Sequence, residues 1–323
     1  MNLRRRVLLG LSALAAAPHA FAQASKSVRI IVPFPAGGGT DVLARIVGEK
    51  LRAGYASTVI VENRVGASGR IGVEAVKSAD ADGGTLLFIP DFLFTVYPHS
   101  FRKLAYDPLA DFAPVAMVAR SGLALSAGPA LPDQVKTIAQ YLDWARSSPK
   151  NAFFATTSPG GTPHFVGVML ARDSGVALSP VHYKGGAPAL QDLLGGQIPL
   201  SVNPVVEVLP YARSGKVRVL ATTGAQRSKF LPEVPTLAES GFPQIVIAPW
   251  LGFFAPAKTP AATVSRLASA IGEAVKAPET VASFEKFGNE AIAVGPAEFS
   301  AALKAEIARW QPIVKASGFT AED

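Results

Sequence analysis

The chain has 323 residues, 31 Lys and Arg against 24 Asp and Glu, a formal net charge of +7, a 49% hydrophobic content and no cysteine. The missing cysteine excludes disulfides, thiolate nucleophiles, cysteine zinc sites and a lipid on an N-terminal Cys. A weakly basic balance without basic clusters suits anionic small molecules and excludes nucleic acid as a partner. At this length and apolar content the chain can bury a large core, and two domains are expected.

At the amino end, Arg4, Arg5 and Arg6 precede an apolar run from Val7 to Ala17 and a small-residue exit at Ala20-Phe21-Ala22. This pattern predicts a secretory signal over residues 1–22, cleaved near Ala22, and an exported, periplasmic protein. The apolar run is too short to span a bilayer. Consecutive arginines fit twin-arginine export, but Val7-Leu8-Leu9 lacks the expected Phe, so the general route stays open. Cleavage would remove three arginines and no acid, lowering the net charge from +7 to +4.

Beyond the signal, short β-branched runs alternate with amphipathic ones. Strands are predicted at 28–32, 58–62 and 85–89, with helices at 41–51 and 71–78 between them. A second series follows: strands 115–119 and 123–127, helix 137–146, strand 152–156, helix 163–172, strand 181–183, helix 187–194, strand 199–202, helix 205–213 and strand 217–221. Strands alternating with helices predict largely parallel sheets covered on both faces. After a strand at 251–255 the chain reads as three helices, 261–275, 279–287 and 296–316, with no further strand. Such a tail returns to cover the first unit. The expected division is a first domain of 26–124 plus 249–323 and an inserted second domain of 125–248, hinged near Ser126 and Thr222.

Three glycine loops lie between a predicted strand and the helix after it, where ligands of parallel sheets collect. The first is Pro33-Phe34-Pro35-Ala36-Gly37-Gly38-Gly39-Thr40-Asp41. Its glycines allow close backbone approach, and the following helix offers free N–H groups and a positive dipole end to an anion. Neither GxGxxG nor GxxxxGK[ST] spacing is present, so it is not a nucleotide loop. A tight turn with Thr40 or Asp41 as a plain N-cap is the alternative. The second loop runs from Ala155 through Ser158, Gly160, Gly161 and Thr162 to His164, and gathers hydroxyls and amides that can orient a carboxylate. His164 reads as a cap or hydrogen-bonding partner more readily than as a base. The third, Tyr183-Lys184-Gly185-Gly186-Ala187-Pro188, repeats the design, with Lys184 in solvent. The turn from Asn63 to Arg70 either adds polar groups to the cleft mouth or is only a turn.

With these loops in place, the chain resembles the Bug or TctC family, the substrate-binding proteins of tripartite tricarboxylate transporters. The likeness runs from about Val28 to Val314. It rests on Val32 to Asp41, on Glu62-Asn63-Arg64 with Gly66-Ala67-Ser68-Gly69, and on Leu104 to Phe112. Gly160-Gly161-Thr162-Pro163-His164, Tyr183-Lys184-Gly185, and Pro232 to Leu237 with Glu239-Ser240-Gly241 complete it. The resemblance implies a type II periplasmic-binding-protein fold, two α/β domains with a ligand cleft between them, closing on one carboxylate held mostly by amides, hydroxyls and water. Carried over by position, Phe34, Ala36, Gly37, Thr40 and Asp41 serve from the first domain. Ser158, Thr162, His164, Tyr183, Gly185, Gly186 and Ala187 serve from the second. The family often has acids in the strand after Gly-Gln, whereas here the run is Gly195 to Asn203, without one. Asn203 is expected near the far end of the ligand, which weakens the case for an amino-bearing ligand.

The partners implied are a small organic carboxylate and the membrane permease subunits of a tripartite tricarboxylate-type transporter, or else a sensor kinase that reads the loaded form. The protein is expected to act as a monomer without a cofactor. The sequence gives an enzyme little support. Without the signal only His99, His164 and His182 remain, and no GxSxG or HExxH spacing occurs.

Overall fold

In a computed structural model that describes residues 27–321, the apolar runs become the strands of two separate sheets. The signal expected over residues 1–22 lies outside the described residues. The first sheet has the order β11-β4-β10-β3-β1-β2. It is built from β1 (Ser27–Val32), β2 (Thr58–Asn63), β3 (Thr85–Pro90), β4 (Phe112–Arg120), β10 (Trp250–Pro256) and β11 (Glu290–Val294). The second has the order β7-β6-β8-β5-β9, from β5 (Leu123–Ala127), β6 (Phe153–Thr156), β7 (Ser179–His182), β8 (Leu200–Pro204) and β9 (Arg218–Thr222).

Both sheets are mixed rather than largely parallel. β1 runs parallel to β2 and β3, but β10 is antiparallel to β3 and β4, and β11 to β4. β5 is likewise antiparallel to β8 and β9. The connectivity accounts for this: a chain that leaves the first sheet at the end of β4 and returns there re-enters by running back along it. β11 is a strand the sequence pattern did not suggest, and it forms an edge with a half-exposed alternating run.

Period-two alternation sends neighbouring residues of one strand into different cores. In β3, Leu86 and Phe88 join a cluster with Leu43 and Val47 of α1 (Gly39–Gly54) and Leu267 and Ile271 of α9 (Ala261–Lys276). Leu87 and Ile89 instead pack with Val73 of α2 (Arg70–Lys77) and Phe299 and Leu303 of α11 (Pro296–Ser317). Burial on both faces explains why β3 reads as a continuous apolar run. In the second sheet, Phe154 and Val202 pack against Phe165 and Leu170 of α6 (Thr162–Ser174). Ala124 and Ala155 pack against Leu190 and Leu193 of α7 (Gly186–Leu194) and Val208 of α8 (Val205–Arg213).

The chain passes between the sheets at Ser121-Gly122 and returns at Ala248-Pro249, and the two crossings are joined by Ser121 N–H donating to Pro249 O at 3.0 Å. This corrects the hinge expected near Ser126 and Thr222. Ser126 is fully buried in β5, and after Thr222 the chain still contributes Leu237, Ile245 and Ile247 to the core of the second sheet. A third link runs through α11, whose 22 residues extend about 33 Å. Its Phe299 and Leu303 belong to the first core, and its Trp310 and Val314 to the second.

Trp310 is 3% exposed, so Trp310→Ala should remove about 3–5 kcal/mol of stability from the second unit. Urea unfolding followed by fluorescence and circular dichroism checks this. An unchanged midpoint would mean that α11 does not hold the second core.

Candidate functional site

The helices that follow the three glycine loops each have a glycine as N-cap and no side chain capping them: α1 after Gly38, α6 after Gly161 and α7 after Gly185. The first-turn amides of a helix have no intrahelical acceptor, and in these helices no cap side chain fills that role. Such amides and positive dipole ends favour an anion.

In the first loop Gly37 adopts φ +82°, which only glycine takes readily, and its N–H donates to Asp41 Oδ2 at 2.8 Å. Asp41 is 2% exposed and accepts two further bonds from Arg45, at 2.9 Å each, and one from Asn63 Nδ2 at 2.8 Å. Asn63 Nδ2 also reaches Phe34 O at 3.0 Å. Burial works against the Asp41 charge, but the bonds from Arg45, Gly37 and Asn63 outweigh it and hold the carboxyl below its ordinary range. Asp41, expected among the ligand-facing groups, is instead the clamp that shapes the loop, because its oxygens are committed to these donors. Phe34 is half-buried and meets Phe92 edge-on at 6.2 Å, while Ala36 and Gly37 are exposed and Thr40 is half-buried.

The second loop is pressed into the interface. Gly160, at φ +68°, lies beneath Phe319, whose ring would be 2.7 Å from a Cβ placed there, and Ser158 Oγ would be 2.1 Å from a Cβ on Gly161. Thr162, 1% exposed, stands against Asp91 just after β3, and neither Thr162 Oγ1 nor Asp91 Oδ1 makes a hydrogen bond of ordinary geometry. Burial first, and the charge of Glu306 second, push the Asp91 carboxyl well above the usual range.

His164 is 3% exposed, accepts from Gly160 N–H at Nδ1 (3.2 Å), and is enclosed by the rings of Phe319 at 4.6 Å, His182 at 4.9 Å and Phe165 at 5.0 Å. Burial, with a smaller contribution from His182, pulls its pKa down to about 4, so the ring is neutral and braces the loop.

In the third loop Gly185 takes φ +103° and donates to Thr157 O at 2.9 Å, tying the second and third loops together. Gly185 and Ala187 are exposed and Gly186 is buried. The Tyr183 hydroxyl donates to Asp192 Oδ2 at 2.7 Å, and burial followed by that bond pushes its pKa up to about 12. Asn203, expected at the far end of a ligand, is fully buried and bonded to Ser201 and to Glu207, so it meets no ligand directly.

Between the sheets lies a cavity of about 130 Å³ lined by Gly39, Thr40, Pro90, Ser121, Leu123, Pro204, Val206, Glu207, Trp250 and Asn289. Of the residues singled out by sequence, Thr40 faces it. Gly186 and Asn203 approach it through Glu207, whose Oε2 would be 1.8 Å from a Cβ on Gly186 and accepts from Asn203 Nδ2 at 2.9 Å. Glu207 and Asp91 escaped the sequence reading. The signal for Glu207 was its place four residues after Asn203, in the first turn of the helix that leaves β8.

Two α/β units joined by paired crossings, with a cavity between them at the open end of α1, define an interdomain solute-binding protein. The chain belongs to the tripartite tricarboxylate transporter family receptors, whose family model matches residues 43–319. It is a substrate-binding receptor of the periplasmic type and not an enzyme. It is 32% identical to protein BugT of Bordetella pertussis over 313 residues, covering 97% of this chain and 95% of that one. Among solved structures it resembles Rpa4515 of R. palustris with adipate, at 31% identity and a TM-score of 0.84, covering 92% of this chain and 99% of that one. It also resembles MatC of Rhodopseudomonas palustris with bound malate, at 29% identity and a TM-score of 0.80, covering 89% and 98%.

Two outcomes test this geometry. The folded pKa of His164, about 4, lies below its unfolded value of 6.5, so its contribution to stability is complete above about pH 6.5 and is lost as the pH falls toward about 4. His164→Asn should flatten that part of the stability profile measured by denaturant titration, and a ring titrating near 6.5 by NMR would refute the brace. Asp41→Asn sets an amide N–H₂ against the clamp's donors and should cost about 1–3 kcal/mol by the same titration.

Proposed function

We propose that this chain is an exported periplasmic receptor that captures a small carboxylate in the cleft between its two units and delivers it to the membrane permease subunits of a tripartite tricarboxylate-type transporter. The division carried by this reading is the expected one, a first domain of 26–124 plus 249–323 and a second of 125–248, with its first boundary moved back to the crossing at Ser121-Gly122. The carrying observation is the glycine-capped end of α1 at an interdomain cavity, with the second unit carrying two more such ends, at α6 and α7. Such ends hold an anion by amides and dipoles without a paired cation. The adipate and malate bound to two structural relatives support a carboxylate as the guest.

In this reading the amides of α1 behind Ala36 and Gly37, with the Thr40 hydroxyl, hold one pole from the first domain, and Phe34 walls the cleft. The second loop closes from the other side with Ser158 and Thr162, braced by His164. Tyr183, Gly185, Gly186 and Ala187 border the other pole. Closure is driven by whatever extra affinity the ligand has for the closed form.

A thermal-shift panel of mono-, di- and tricarboxylates, amino acids and aromatic acids tests this. At about a hundredfold excess over Kd a ligand adds about 2.7 kcal/mol to the folded state, several degrees in Tm. Thr40→Tyr fills the cavity from a half-buried position and should abolish the shift with an unchanged circular dichroism spectrum. A shift that survives Thr40→Tyr places the ligand elsewhere, and no shift with any carboxylate, in protein free of co-purified ligand, overturns the reading.

A further inference from the structure

The acid missing from the strand after Gly-Gln is supplied one helical turn later. β8 passes directly into α8, and Glu207, in the first turn of that helix, lines the interdomain cavity together with Gly39 and Thr40 of the α1 end. Its position is fixed by a short relay. Ser201 Oγ donates to Asn203 Oδ1, which turns the Asn203 amide so that Nδ2 donates to Glu207 Oε2 at 2.9 Å. Ser201 and Asn203 are both fully buried, so the relay is set by the second unit and not by solvent.

The carboxylate rests on Gly186, the first residue of α7. A Cβ there would come within 1.8 Å of Oε2 and 2.6 Å of Oε1, so the carboxylate occupies the space that a larger residue at this position would make it leave. Glu207 thus already sits at the positive end of α7, where a ligand carboxylate would otherwise go. Among the described residues its side-chain hydrogen bond is to Asn203, and it has no ion pair. Burial raises its carboxyl pKa, and the Asn203 bond opposes this, as befits a carboxylate that lacks a cationic partner.

We propose that Glu207 selects the second pole of the ligand: the cleft accepts a carboxylate whose other end bears a hydrogen-bond donor, an ammonium or a hydroxyl, and rejects one whose other end is a second carboxylate. This rests on the reading of the cleft as a carboxylate site, with the first pole held at α1. A donor completes the unfilled acceptor capacity of Glu207. A second carboxylate would meet a like charge in a desolvated space beside the α7 end. The fixed acid also reverses the expectation from Asn203 alone. Here the amide does not replace the acid in the cleft; it holds one there.

The test is isothermal titration of the mature protein, shown to be free of co-purified ligand, with butyrate, 4-hydroxybutyrate, 4-aminobutyrate and succinate, and with the longer homologues of each up to adipate. The expected result is that a hydroxy or amino acid binds about tenfold or more tighter than the dicarboxylate of equal length. Glu207→Gln should shrink that ratio to about threefold or less. Glu207→Met, which keeps the bulk without the acceptors, should weaken the donor-bearing acid toward the level of butyrate. If dicarboxylates bind the unaltered protein as tightly as the donor-bearing acids, or if the ratio is the same in Glu207→Gln, the selectivity role is overturned and the carboxylate receptor stands. If the unaltered protein binds none of the acids here or in the wider thermal-shift panel, both readings fall. Should Glu207→Gln not fold, the ranking in the unaltered protein decides the matter alone.

Discussion

The arrangement depends on two backbone crossings held side by side. Because Ser121 N–H bonds Pro249 O, the chain leaves and re-enters the first sheet at one place, and the second sheet is held facing the strand ends that carry the glycine loops. The elements of the proposed site hang from this pair: α1 on one side, α6, α7 and α8 on the other. The antiparallel direction of β10 is the geometric result of returning there, which is why a parallel first half acquires a mixed sheet.

The glycine loops owe their shape to buried polar side chains. The first loop keeps its shape because Asp41 collects Gly37, Arg45 and Asn63 at once. The second keeps its shape because a neutral His164 is wedged among aromatic rings. In both cases a polar side chain that looks available in sequence is used up in positioning amides. Asp41 and His164 belong to the scaffold of these loops, while Thr40 and Glu207 face the cavity.

Much of this was legible in the sequence. The β-branched runs of β1, β2 and β3 and the amphipathic spacing of α1 and α9 gave the elements, and the three glycine runs marked the loops. What stayed hidden had physical causes. β11 is a five-residue edge strand with weak alternation, Glu290-Ala291-Ile292-Ala293-Val294, and its pairing with β4 is a tertiary fact. The first crossing fell at Ser121-Gly122 and not near Ser126 because the apolar run from Leu123 continues as one strand of the other sheet. Glu207 was missed because the acid was sought on the strand, whereas the turn into α8 brings a residue four positions later to the same place. Which side chains are used up in scaffolding is invisible without distances, and Asp41 shows this most clearly.

The long final helix has one more consequence. Trp310 and Val314 complete the core of the middle segment, and Phe319 covers the loop that begins α6, although these residues are separated from that segment by the whole return through the first sheet. The middle segment is therefore unfinished until α11 and Phe319 have been made. A chain that stopped before Trp310 would leave an apolar face uncovered in the second unit, so this fold makes synthesis through α11 a condition for a closed interior, and copies that stop earlier stay open to proteolysis.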